Sequence, residues 1–118
     1  MGSEPARTPQ ELAFELMRSA SFNEFDGVGV VSDLERHAHL WDAALMNRDD
    51  LVTLRDLPYG EWNVDTLYVL SSGQDDLALE RLAAQWKADE VRWMSEDEAA
   101  QHLGESPPQR RILVVWWD

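Results

Sequence analysis

The apolar positions of the chain fall into two regimes. Over residues 8–57 they recur at helical spacing, whereas over 62–118 short apolar runs alternate with helical stripes. In the first regime Leu12, Phe14, Leu16 and Met17 form a stripe behind the opening Thr8, Pro9, Gln10 and Glu11. Thr8 can cap the free amides, Pro9 suits the first helical turn and Glu11 stands where a capping box needs it, so a helix is expected to about residue 21. After the turn-like "SFNEFDGVG", Leu34, Ala38, Trp41 and Leu45 recur at intervals of four, three and four. That spacing predicts a second helix over 32–47, packed on the first. The segment "RDDLVTLRDLPYGEW" is read as a third, short helix on Leu51, Leu54 and Leu57, opened by Asp49 and Asp50 and ended by Pro58 and Gly60.

The second regime reads strand, helix, strand, helix, strand. "DTLYVLSS" is a β-rich run, "DDLALERLAAQWKA" places Leu79, Leu82, Ala83 and Trp86 on one helical face, and "DEVRWM" alternates Val91 and Trp93 against Arg92. Ser95 and Glu98 form a capping box for a short helix stopped at Gly104, and "RILVVWW" is the last strand. The expected fold class is therefore α/β: a small three-stranded, mainly parallel sheet with two crossover helices, preceded by an N-terminal helical pair. The two wholly apolar strands should be protected and the alternating one should lie at an edge, giving the spatial order second, first, third. Trp41, Leu45, Val69, Leu82 and Val114 are expected in one core. Residues 1–7 read as a polar tail ahead of a single domain, 8–118, divided into the helical part 8–57 and the strand-containing part 62–118.

Successive strand residues point to opposite faces, so Trp116 and Trp117 cannot share one layer. With six Trp residues in a small chain, at least one of the two is expected in the core and the other half covered.

Charge narrows the classes of partner. The 118 residues carry 23 Asp and Glu against 10 Lys and Arg, a formal net charge of −13. Such a surface repels phosphate backbones, which argues against direct nucleic-acid binding and favours basic proteins or cations. There is no Cys, so thiol nucleophiles and thiolate metal sites are excluded. No apolar run suits a signal peptide or a membrane span, and a cytoplasmic protein is expected.

In a parallel sheet the strands' carboxyl ends gather on one edge, where α/β folds usually bind ligands. That edge would collect Asp75, Asp76, Glu96, Asp97 and Asp118, and of these Asp75, Asp97 and Asp118 could hold Mg2+. The first four also belong in helix first turns for electrostatic reasons alone. Glu35, His39 and Asp42 would share one stripe of the second helix and form another candidate metal set. Trp62 and Asp65, at the mouth of the first strand, complete a candidate partner-binding set with the acidic rim. No nucleophile with an orienting base is recognisable. The reading that follows is a non-catalytic, acidic protein-binding module with no cofactor, an inhibitor or immunity-like partner of a basic protein. Its rival is a divalent-metal-dependent enzyme or nucleotide-binding domain using the acidic carboxyl edge of the sheet, with Mg2+ as its cofactor.

Overall fold

A computed structural model of the chain describes residues 8–22, 24–48, 51–104 and 110–117. The predicted tail 1–7, the helix-opening Asp49 and Asp50, and Asp118 lie outside the described residues. The elements run α1 (Pro9–Arg18), β1 (Ser21–Phe22), β2 (Phe25–Asp26), α2 (Gly27–Arg36), β3 (Trp41–Asn47), α3 (Val52–Asp56), β4 (Thr66–Ser71), α4 (Asp76–Ala83), β5 (Glu90–Trp93), α5 (Glu96–Leu103) and β6 (Ile112–Trp116). Thr8 caps α1, accepting from the Glu11 amide at 3.1 Å, and Ser95 and Glu98 close the capping box of α5. Gly104 ends α5 at φ 70°, in the left-handed region that glycine adopts without strain.

The fold is α/β, but its main sheet is four-stranded and wholly antiparallel, in the order β3-β4-β6-β5. This overturns the expected three-stranded, mainly parallel sheet on two counts. First, residues 41–47 are an edge strand rather than the end of a helix. α2 stops at Arg36, a single 3-10 turn covers Ala38–Leu40, and β3 pairs along its length with β4. Second, β6 does not continue outward as a parallel neighbour but returns between β4 and β5, antiparallel to both. A helix between two strands is compatible with either direction of return, so the alternation of elements left the direction open. β5 does lie at an edge, as its alternating sequence suggests.

The sheet has two unlike faces. Its inner face presents Ala44, Met46, Leu67, Val69, Leu113 and Val115 to α1, α2 and α4, whose Met17, Val31, Leu34 and Leu79 are fully buried against it. On the outer face Ile112 and Val114 form a smaller cluster with Met94 and Ala99, the latter from α5. Val69 and Leu82 belong to the inner core and Trp41 packs on it, but Val114 lies in the outer cluster and Leu45 is 53% exposed. The predicted single core therefore divides between the two sides of the sheet.

The start of α2 explains why the glycine-rich "DGVGVV" is a helix rather than the predicted turn. Asp26 caps it by accepting from the Gly29 amide at 3.2 Å. Gly27 sits so close to the end of α1 that a Cβ there would lie 1.7 Å from the Met17 carbonyl oxygen. Glycine at 27 is what lets the two helices meet.

Candidate interaction surface

The link between β3 and β4 folds inside out. α3 and the 3-10 turn Leu57–Tyr59 form one short helical run, stopped by Gly60 at φ 76°. Its apolar stripe faces solvent: Leu51 is 76% exposed, Leu54 62%, Leu57 51% and Tyr59 79%. Two of its polar residues, Thr53 and Asp56, face inward, while Arg55 is exposed. Asp56 is buried, and the Thr53 hydroxyl, half-buried, donates to the Asn63 carbonyl. The neighbouring Arg55 holds the Asp56 carboxylate through Nε at 2.7 Å and Nη2 at 2.9 Å, while the Asn63 side-chain amide donates to it from the following loop. The Arg55 and Asn63 hydrogen bonds keep the Asp56 carboxyl below its ordinary value against the opposing effect of burial, with Arg55 and Arg48 adding charge attraction. A helix normally buries its apolar stripe; here a buried carboxylate bonded by Arg55 and Asn63 faces inward while three leucines and a tyrosine face water.

The surface adjoins the mouth of the sheet's outer face. There Arg48, Asp65, Thr66, Tyr68, Glu90, Arg92, Val114 and Trp116 line an open cleft of about 320 Å³. The half-buried Trp116 and Tyr68 supply its apolar wall. Asp65, one of the predicted partner-binding residues, lies in this cleft and accepts from the Thr66 hydroxyl at 2.8 Å. Trp62 is half-buried and packs on the main core at the foot of the exposed segment.

The remaining predicted site residues do not join it. Asp75 caps α4, accepting from the Ala78 amide at 3.0 Å. Asp76 is held by the Ser71 hydroxyl and by Arg111 at 3.0 Å. Glu96 and Asp97 stand exposed in the first turn of α5. These four follow the ends of β4 and β5, whereas the antiparallel β6 runs back toward the beginnings of those strands. Trp116, at the end of β6, pairs with Thr66 and Glu90 at the beginnings of those strands. The residues that β6 does bring to the acidic edge are Arg110, paired with Asp42 at 2.9 Å, and Arg111. Of the proposed Asp75, Asp97 and Asp118 metal set, Asp75 is committed to capping α4 and Asp97 is exposed in the first turn of α5, while Asp118 lies outside the described residues. The Glu35, His39 and Asp42 set loses its stripe because the helix ends before His39. Glu35 pairs with Arg18 at 2.9 Å, His39 is exposed in the 3-10 turn and Asp42 lies on β3. Among the described residues no three His, Asp or Glu side chains are grouped to hold a metal ion.

Sequence reasoning found the stripe of Leu51, Leu54 and Leu57 but not its direction, and passed over Tyr59. The one signal available was Asp56, whose place opposite the leucines would have been unremarkable on an outward face and required partners on an inward one. No helix among the described residues is long and apolar enough to cross a membrane. Comparisons with protein-family models, curated proteins and solved structures find no match for this chain.

Proposed function

We propose that the protein is a non-catalytic protein-binding module that presents the 51–59 segment to an apolar groove on a basic partner. The observation that carries this reading is the inverted segment itself. Four large, exposed apolar side chains in a nine-residue segment contribute little to the fold, and their inward counterpart is a carboxylate held in place by two other side chains. Short helices that lay an apolar face into a groove use anchors at this spacing.

The chemistry of the partner follows from charge. Asp49, Asp50 and Glu61 flank the segment in sequence, within a chain of net charge −13. A partner whose groove is rimmed by Lys and Arg would be steered toward this surface and held in register on it. An inhibitor or immunity-like role toward such a partner fits the same features.

The test is capture from the cells of origin with immobilised wild-type protein and with Leu54→Asp, at low and at high salt. A specific partner should be retained by the wild type, released by salt and absent from the variant, while the variant's melting curve matches the wild type. Equal capture by the two proteins would remove the segment from the binding surface.

A further inference from the structure

The two edges of the main sheet are treated differently. On β3 the N–H and C=O of Ala44 point away from β4, and both are occupied by the Gln10 side chain of α1: Nε2 donates to the carbonyl at 2.6 Å and Oε1 accepts from the amide at 2.8 Å. A side-chain amide thus stands where another strand would pair. On β5 the Met94 amide donates to the Ile112 carbonyl at 3.0 Å, which places Met94, Arg92 and Glu90 on the side bonded to β6 and turns the peptide groups of Val91 and Trp93 outward. Among the described residues no side chain covers these outward groups as Gln10 covers Ala44. An uncovered edge is a template for another strand.

We infer that β5 is the seam of a two-fold symmetric dimer, in which the β5 strands of two copies pair antiparallel about Val91. The side chains select this occupant and this register. With Val91 opposite itself, Glu90 of each copy stands opposite Arg92 of the other on the exposed outer face, giving two opposite-charge cross-strand pairs. Centring the axis on Arg92 instead would set two guanidinium groups against each other. The row already alternates in sign within one chain, where Arg92 lies 3.3 Å from Glu90 and 3.2 Å from Glu98. The seam is independent of the 51–59 segment and goes beyond the function proposed for it.

The experiment is sedimentation of the full chain up to millimolar concentration in moderate salt, where screening limits repulsion between two acidic copies. The wild type should be a concentration-dependent dimer. Glu90→Arg and Arg92→Glu should each weaken it by at least about tenfold, because each places like charges opposite one another. Mixing the two single variants should restore a dimer containing one of each, since every Arg then faces a Glu. That restoration separates the seam from any loosening of α5, because Arg92→Glu loses its Glu98 partner whether or not it is mixed. A wild type that stays monomeric, single variants that dimerise undiminished, or a mixture that remains monomeric would each overturn the inference. The salt response also distinguishes the two surfaces: the dimer persists at salt that releases a basic partner from 51–59.

Discussion

Trp116 and Trp117, adjacent in the chain, have opposite fates, and the difference can be measured. Trp117 is 1% exposed, stands edge-on to Phe25 with ring centroids 4.7 Å apart, and donates from Nε1 to the Trp86 carbonyl at 3.0 Å. Trp117→Ala removes the ring and leaves that carbonyl without its donor, so it should destabilise by about 3 to 5 kcal/mol in chemical denaturation. Trp116 is only half-buried on the outer face, and Trp116→Ala should cost clearly less; equal losses would contradict the assignment of faces. The sequence made this alternation legible, because a strand's period is fixed whatever its neighbours do. It did not make Asp56 legible. Its carboxyl titrates below the ordinary 3.8, so its stabilising effect is complete above that value and is lost as pH falls through the lower folded value. Asp56→Asn should therefore lower stability at neutral pH and shrink the difference from wild type once pH drops below about 4, as followed by thermal melting across pH. A difference that grows on acidification would mean that the carboxylate is not what holds the segment.

At the scale of elements, the apolar stripe of 51–57 and the false helix over 32–47 mislead for related reasons. Periodicity states which residues share a face, but not which way the face points. It also cannot separate a helix from a helix followed by a strand when apolar residues occupy both faces of the strand. Leu34 belongs to α2, whereas Trp41 and Leu45 sit on β3 beside the inward Ala44 and Met46. Ala, Leu and Met are better helix formers than strand formers, and here pairing with β4 overrides that preference. The caps were legible because they are local chemistry: Thr8, Ser95 and Gly104 act where the sequence places them. The inverted segment gives a direct test. Replacing Leu51, Leu54 and Leu57 by Ser, singly, should change stability by no more than about 0.5 kcal/mol each, the range of ordinary surface positions. By contrast, Leu79→Ala, fully buried on α4, should cost about 2 to 5 kcal/mol. Losses of core size at 51, 54 and 57 would place the leucines inside the fold and remove the proposed binding surface.

At the scale of the whole molecule, the direction of β6 decides what the fold can do, and no residue within that strand encodes it. The reversal sets Arg110 and Arg111 among the acidic residues of one edge and leaves the opposite edge to the 51–59 segment and the cleft beside Trp116. Charge then acts on the assembly as a whole. The ion pairs of Arg18, Arg36, Arg92, Arg110 and Arg111 are largely exposed, and such pairs are worth about 0 to 1 kcal/mol each. Against them stands a net charge of −13 on a body 39 by 39 by 29 Å. At about 0.01 M salt the screening length is about 30 Å, comparable to the molecule, so each carboxylate repels nearly all the others; at about 0.15 M it is about 8 Å and only neighbours interact. Long-range repulsion should therefore weaken more than the short-range pairs as salt rises. The melting temperature should increase between these two conditions at neutral pH. Binding of a basic partner should change in the opposite sense over the same range. A melting temperature that falls with added salt would mean that the ion pairs outweigh the excess charge, and that attraction rather than repulsion governs this surface.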